Sequence, residues 1–255
     1  MASVDFIKDG HVGTIKFNRP EKLNAITKEM AKQLVDAVHE ANYDDDIRVV
    51  VLTGVGDRSF STGSDITLLD EYGSNWQFRN RLEYCDVLRN LRKPLIAMVN
   101  GYAIGGGLEL ALCADMRFAG ENAKFGAVEV KLGWIGGGGI TQLLTHLIGY
   151  GKAMKLILSG DIIDAKEANE LGMIETYLPD SDLEKYTYEY AHKIAKYSPI
   201  ALQTAKHGCK MALNIPIEQG IMYERDLQTI CFYTEDRKEG IEAFKEKREP
   251  IFKGQ

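Results

Sequence analysis

Short apolar runs alternate with amphipathic stretches through the first three quarters of the chain. The runs 48–52 and 95–99 are almost wholly apolar, which is typical of strands that are buried on both faces. Over 27–42 the apolar residues recur at helical spacing, and Thr27 is suited to cap that helix. Strands and helices therefore alternate, and this pattern predicts an α/β body with a parallel sheet.

Three more elements complete this part of the chain. Residues 4–7 and 12–17 flank the pair Asp9-Gly10, and such a pair between β-rich runs predicts a hairpin. A helix of mixed polarity is predicted over 75–91. A short apolar helix is predicted over 108–113, after the second buried run.

Beyond residue 181 the strand pattern ends and four helices are predicted, over 181–196, 199–213, 216–232 and 235–247. Tyr197-Ser198-Pro199 is a natural stop and restart, because proline suits the first turn of a helix. We therefore expect a core over residues 1–197 and a helical region over 198–255. Apolar residues on more than one face of the second and third helices predict an obligate oligomer.

Composition and charge narrow the class of protein. The chain has 255 residues, of which 45% are hydrophobic and 27% charged, and this excludes global disorder. A net charge of -6 without a basic run argues against a nucleic acid or an anionic membrane as partner. The four cysteines have no CxxC spacing and are expected to be reduced. No apolar leader or stretch of 18 apolar residues occurs, so we expect a cytoplasmic protein.

Several enzyme motifs are absent from the sequence. It contains no GxSxG, HExxH or GxxxxGK[ST] motif, and the five histidines form no pair with metal-ligand spacing. The segment 54–59 resembles half of a dinucleotide fingerprint, but another loop follows it instead of a helix. Neither a metal site nor a dinucleotide site is therefore expected.

Two glycine-rich loops are the strongest chemical feature. Residues 100–107 join a buried strand to a helix, and the free N–H groups at a helix start favour negative charge. Residues 60–65 follow the other buried strand. In a parallel sheet both loops would emerge at the same carboxyl edge, which is where ligands bind. Each loop could supply one donor to the same oxygen. The glycines are equally consistent with tight turns and close packing alone.

Two carboxylates lie in apolar surroundings near these loops. Glu109 is in the first turn of an otherwise apolar helix, and Glu129 stands between two valines ahead of a run of four glycines. Burial raises the pKa of a carboxyl group towards neutrality, so the two fit an acid and base pair. The alternative for Glu109 is simple complementation of the helix dipole.

Four motifs then resemble those of the enoyl-CoA hydratase/isomerase (crotonase) superfamily, in the order and spacing of that family. They are NRPEKLNA at 18–25, FSTGSDI at 60–66, VNGYAIGGGLELA at 99–111 and AFKEKR at 243–248. The resemblance covers essentially the whole chain. It implies a spiral of strand-strand-helix repeats, followed by a C-terminal helical region that builds trimers, commonly paired into hexamers.

The resemblance also implies a reaction. An acyl-CoA thioester would place its carbonyl oxygen between the backbone N–H groups of Ser64 and Gly106. Glu109 would hold and deprotonate a water molecule, and Glu129 would deliver a proton to C2. Because both acidic positions are filled, hydration of a 2-enoyl-CoA is favoured, or the reverse dehydration of a 3-hydroxyacyl-CoA. No metal or redox cofactor is implied.

Further positions of this sequence match the family's CoA-binding residues. They are Lys22, Leu23, Ala25, Asp65 and Ile66 in one subunit, with Phe244 and Lys247 reaching the CoA of a neighbouring subunit.

Departures from the family fall near the acyl pocket. Val128 replaces a usual proline, Gly136 ends a segment that usually ends in proline, and Ile140 replaces a common glycine. Trp134 is a candidate wall of the acyl pocket, with packing alone as the other interpretation. The alternatives are therefore an isomerase or a dehydratase acting on an alicyclic, branched or hydroxylated acyl-CoA. A binding protein that has lost catalysis is a third hypothesis.

Overall fold

The computed structural model describes residues 3–255, and of residues 69–71 the backbone only. The strands of this part are β1 (Val4–Asp9), β2 (Val12–Phe17), β3 (Val49–Gly54), β4 (Ser59–Ser61), β5 (Leu95–Val99), β6 (Tyr102–Ile104), β7 (Met116–Gly120), β8 (Lys124–Gly126), β9 (Ile162–Asp164) and β10 (Thr176–Leu178). The α-helices are α1 (Lys28–Tyr43), α2 (Asn75–Arg79), α3 (Tyr84–Arg89), α4 (Gly106–Leu112), α5 (Ile140–Ile148), α6 (Tyr150–Ser159), α7 (Ala165–Leu171), α8 (Asp180–Ala195), α9 (Pro199–Met211), α10 (Ile217–Phe232) and α11 (Glu235–Glu246). Short 3₁₀ turns are Pro20–Lys22, Ile66–Glu71 and Glu129–Leu132.

The larger sheet has six strands in the order β1-β2-β3-β5-β7-β10. All its pairs are parallel except the β1–β2 hairpin, in which Val4 pairs with Phe17. Every residue of β3 and β5 is buried. One face packs against α8 and the other against the main core, which explains why these two runs are apolar throughout.

A second, smaller sheet runs in the order β4-β6-β8-β9. Three times the chain passes from a strand of the large sheet to a strand of the small one and then into helices: β3 to β4, β5 to β6, and β7 to β8. This repeat confirms the expected α/β spiral of strand-strand-helix turns. The second sheet is a difference from the sequence pattern, which predicts one sheet and indicates loops where β4 and β6 lie.

The predicted helix over 75–91 is wrong as one element, because it is divided into α2 and α3. Side chains replace the helical hydrogen bonds at the break: Arg81 Nη1 donates to the carbonyl of Phe78 at 3.0 Å. Glu83 begins the second helix, since its carboxylate accepts from the amide of Cys85 at 3.4 Å. The break aims Tyr84 inward, where it is buried.

Other predicted elements are present. Thr27 caps α1, because its hydroxyl accepts from the amide of Met30 at 3.1 Å. The four helices beyond residue 181 are α8 to α11. Arg48 ties their end to the core, with its Nη2 donating to the carbonyl of Phe252 at 2.7 Å. Within residues 3–255, none of the helices has the length and apolar character needed to span a membrane.

Candidate active site

Two backbone amides, of Ser64 and Gly106, lie close together just beyond the ends of β4 and β6. A parallel bridge pairs Ser64 with Ile26, through the hydrogen bonds Ile26 N to Gly63 O at 2.7 Å and Asp65 N to Ile26 O at 2.9 Å. This pattern turns the N–H of Ser64 away from Ile26. Gly106 is the first residue of α4, where an N–H has no helical acceptor. Among the hydrogen bonds of residues 3–255, neither amide has an acceptor.

Glycines allow the two loops to touch. Gly63 has φ +77, and a Cβ on it would lie 2.5 Å from the amide nitrogen of Gly106. A Cβ on Gly107 would overlap the carbonyl oxygen of Ser61. Side chains at these positions would force the loops apart. The glycines thus bring two free donors to one spot, with the dipole of α4 behind them.

Glu109 is buried in the first turn of α4. Its Oε1 accepts from the amides of Gly138 at 2.8 Å and Ile140 at 3.2 Å. Burial raises its pKa from the ordinary value near 4.5 to about 7, although the two amides act in the opposite direction. The negative charge of Glu129 raises the pKa further. These two hydrogen bonds hold Oε1, whereas Oε2 accepts no hydrogen bond among the described residues.

Glu129 begins a 3₁₀ turn and is also buried, and this burial raises its pKa. A Cβ on Gly136 would lie 2.5 Å from Glu109 Oε1 and 3.1 Å from Glu129 Oε1, so both carboxylates border one point. Glu129 Oε1 lies 3.5 Å from the Cβ position of Gly105, next to the free amide of Gly106. The two carboxylates that the apolar pattern singles out therefore lie near Ser64 and Gly106, the two positions that the family resemblance implies as donors.

Two of the departures noted in the sequence belong to this site. Ile140 supplies one of the amides to Glu109, and Gly136 leaves the space where both carboxylates approach. Val128 is the residue that precedes the 3₁₀ turn of Glu129. Trp134 follows that turn; its amide donates to the carbonyl of Glu129 at 3.3 Å, and its side chain is exposed.

The structure also brings Tyr84 to this site, a residue of the helix predicted over 75–91 to which the sequence analysis assigns no direction. Its hydroxyl lies 3.1 Å from Ser64 Oγ, beside the free amides. Burial raises the pKa of this phenol well above its ordinary value. A cavity of about 200 Å³ opens next to Ser64 and Tyr84, between α1 and the connection from α2 to α3. The direction of Tyr84 depends on the helix break at 80–83, which the sequence pattern does not predict.

The residues expected at the CoA nucleotide form one edge beside the site. Leu23 and Asn24 adopt left-handed backbone conformations, and the Ile26–Ser64 bridge joins this turn to the loop that holds Asp65. Asp65 accepts from Thr67 Oγ1 at 2.6 Å and from Arg19 Nη1 at 2.7 Å. These two hydrogen bonds hold the pKa of its carboxyl below the ordinary range. Asp65 therefore links the loop that carries the Ser64 amide to Arg19.

The side chains of Lys22 and Ile66 are exposed on this edge, and those of Leu23 and Ala25 are partly buried. Phe244 and Lys247 lie elsewhere, on and just after α11. Phe244 is 84% exposed. The hydrogen bonds of α11 to other described parts of the chain run to the C-terminal tail, as from Lys253 N to Asp236 Oδ1 at 2.7 Å.

No group of three or more His, Cys, Asp or Glu side chains in the described residues has the arrangement needed to hold a metal ion.

The chain is similar to known proteins in sequence and in structure. A family model described as Enoyl-CoA hydratase/isomerase matches residues 8–255. The (E)-benzylidenesuccinyl-CoA hydratase of Thauera aromatica is 39% identical over 246 residues, which cover 96% of both chains. The 2,3-dehydroadipyl-CoA hydratase of Escherichia coli is 40% identical over 241 residues, 94% of both chains. The crystal structure of enoyl-CoA hydratase from Bacillus anthracis superposes with a TM-score of 0.95 at 35% identity, covering 100% of both chains.

Proposed function

The chain belongs to the enoyl-CoA hydratase/isomerase family, and we propose that it adds water reversibly to a 2-enoyl-CoA to give a 3-hydroxyacyl-CoA. One observation carries this proposal. Two buried carboxylates, Glu109 and Glu129, border a single point beside two backbone amides that have no acceptor among the described residues. Hydration needs a base for the water, an acid for C2 and donors for the thioester oxygen, and these are the roles proposed for Glu109, Glu129 and the two amides.

In the proposed mechanism the thioester oxygen accepts hydrogen bonds from the N–H groups of Ser64 and Gly106. These donors lower the energy of the enolate that forms when water attacks C3. Glu109 takes one proton from the water, whose oxygen stays on C3. Glu129 gives a proton to C2, and the enolate returns to a thioester. The carboxylate pair thus gains one proton and loses one, and the reverse sequence dehydrates the product.

Two backbone amides and a raised pKa suit Glu109 to act as the base in this mechanism. The hydrogen bonds from Gly138 and Ile140 hold the carboxylate in one orientation, with Oε1 at the point that it shares with Glu129. A pKa of about 7 leaves a useful fraction ionised at neutral pH while making the ionised form a better base than an exposed carboxylate. Hydration should therefore lose rate as the pH falls through about 7, because protonated Glu109 cannot accept a proton from water.

Substrate binding is proposed to follow the edge beside the site. Lys22, Leu23, Ala25, Asp65 and Ile66 would lie along the CoA nucleotide, with Asp65 acting by fastening its loop to Arg19. The cavity next to Ser64 is large enough to receive a small acyl group. We propose Trp134 as a further wall of the acyl pocket, because it follows the turn that begins at Glu129. No cofactor is needed beyond the coenzyme A of the substrate.

We propose a homo-oligomer, a trimer or a dimer of trimers, in which Phe244 and Lys247 contact the CoA of a neighbouring subunit. The support is apolar exposure: Phe244 is 84% exposed, and α10 buries only Leu227 within its own chain. The cytoplasm is the proposed location, because the described thiols of Cys85, Cys113, Cys209 and Cys231 are all free, as expected in a reducing compartment.

A panel of acyl-CoA thioesters followed by mass spectrometry tests the proposed function. A 2-enoyl-CoA should gain the mass of one water, and the corresponding 3-hydroxyacyl-CoA should lose it. The panel should pair straight-chain substrates with alicyclic, branched and hydroxylated ones of equal carbon number. An enzyme that moves the double bond of a 3-enoyl-CoA without any mass change, and adds no water, would be an isomerase and would overturn the proposal.

A further inference from the structure

Tyr84 reaches the free amides because α3 begins there. Glu83 fixes the start of this helix with its side chain, and Arg81 closes the end of α2. The phenol ring is buried, with 7% of the residue exposed, and its hydroxyl lies 3.1 Å from Ser64 Oγ. This hydrogen bond joins two side chains that the proposed mechanism does not use.

The phenol also borders Gly106. A Cβ on Gly106 would collide with Tyr84 Oη, and the same point lies 3.0 Å from Gly63 Cα and 3.5 Å from Ser64 N. The phenol oxygen and the Ser64 amide nitrogen therefore both lie within 3.5 Å of one point next to the first residue of α4. A side chain at Gly106 would occupy this point and displace the phenol hydroxyl.

We propose that Tyr84 donates a third hydrogen bond to the thioester oxygen, and that Ser64 Oγ orients the phenol by donating its own proton to Tyr84 Oη. This inference rests on the proposed function. A phenol has one O–H donor and accepting lone pairs, so it can accept from Ser64 while it donates to the substrate. Burial keeps this phenol protonated, because its ionised form would be poorly solvated.

The expected contribution is close to that of a single donor in an oxyanion site. Loss of one such donor costs about 10²–10³ in rate, and a third donor beside two backbone amides should contribute about 10- to 100-fold. The effect should appear in kcat more than in KM, because the bond strengthens as negative charge develops on the oxygen.

The test compares Tyr84→Phe with a matched control, Tyr188→Phe. Tyr188 is also partly buried, has one hydroxyl partner, Thr14 Oγ1 at 3.0 Å, and lies in α8 away from the site. We expect Tyr84→Phe to lower kcat by about 10- to 100-fold with KM within a few-fold, and Tyr188→Phe to keep the wild-type kcat. Ser64→Ala keeps the backbone amide and should lower kcat by about 2- to 10-fold.

The carbonyl stretch of bound butanoyl-CoA, labelled with ¹³C at the thioester carbon, separates a third donor from a structural role. This saturated thioester cannot be hydrated, so the spectrum is independent of turnover. Donors to the oxygen lower the stretching frequency. We expect the frequency to rise in Tyr84→Phe, to rise less in Ser64→Ala, and to stay unchanged in Tyr188→Phe.

An unchanged carbonyl frequency in Tyr84→Phe would overturn the inference, whatever happens to kcat. If Tyr84→Phe does not fold, an unchanged carbonyl frequency in Ser64→Ala would overturn the inference instead. A wild-type enzyme that binds butanoyl-CoA but hydrates no enoyl-CoA would refute the proposed function alone, because the spectra still report on Tyr84. A wild-type enzyme that binds no acyl-CoA would refute both.

Discussion

The site region and the C-terminal helices differ in how much of their apolar surface is buried within one chain. In the site region, β3 and β5 are wholly buried, and the amides and carboxylates of the site all come from residues 64–140. In the C-terminal region, α9 buries no residue and α10 buries only Leu227. The larger exposed apolar side chains of α10 are Ile217, Ile221, Met222, Ile230 and Phe232.

This contrast assigns different tasks to the two regions. The proposed chemistry needs only groups that one chain already holds in place. The exposed apolar side chains of α10 and the exposed ring of Phe244 form the surface that we propose another copy covers. Substitutions of the site carboxylates should therefore change kcat and leave assembly intact, whereas charged substitutions on the apolar face of α10 should change assembly.

The largest effect is expected from Glu109→Gln. Glutamine can still accept from the amides of Gly138 and Ile140 but has no basic oxygen for the water. Hydration should fall by about 10²–10⁴ with KM nearly unchanged. Steady-state kinetics with light scattering checks this, because the oligomer should stay intact. Near-normal hydration would remove Glu109 as the base and favour the isomerase alternative, in which Glu129 alone moves the proton.

The same substitution should stabilise the protein at alkaline pH. Because burial raises the pKa of Glu109 from about 4.5 to about 7, the folded state binds its proton more tightly than the unfolded state. Wild-type stability therefore declines as the pH rises through this window, by up to about 3 kcal/mol. Glu109→Gln removes this cost. Denaturant unfolding should show the variant more stable than wild type at pH 8 and similar at pH 4; a constant difference would contradict the burial argument.

On the C-terminal helices, the double substitution Met222→Glu and Ile230→Glu should dissociate the oligomer. Two charges would be placed on an apolar face that another copy is proposed to cover, and a buried unpaired charge opposes association strongly. Light scattering should give 28.5 kDa, the mass of one chain. The control Gln228→Glu adds a charge at an exposed polar position of α10 and should assemble normally. A wild-type monomer at micromolar concentration would refute the oligomer itself.

The smallest effect is expected from Phe244→Ala. Loss of one aromatic contact to CoA should raise KM by about 10-fold, or roughly 1.4 kcal/mol, with kcat unchanged. An N-acetylcysteamine thioester lacks the nucleotide, so its KM should be the same in wild type and variant. An equal rise in KM for both substrates would place Phe244 outside CoA binding.

Elements with a repeated apolar pattern could be predicted from the sequence, whereas very short strands and the direction of a side chain at a helix break could not. Runs such as 48–52 and 95–99 predict buried strands because both faces are apolar. The strands β4 and β6 have three residues each, too few to show an alternation. Tyr84 was placed but not oriented, since its direction depends on the caps that Arg81 and Glu83 make at the helix break.

Hydration in water enriched in ¹⁸O and deuterium tests the central claim most directly, that Glu109 and Glu129 add water to an enoyl thioester held by the Ser64 and Gly106 amides. Wild type acting on crotonyl-CoA should place one ¹⁸O at C3 and one deuteron at C2. Glu109→Gln should incorporate ¹⁸O slower by about 10²–10⁴. A wild-type enzyme that exchanges the proton at C2 or shifts a double bond while incorporating no ¹⁸O would contradict the account.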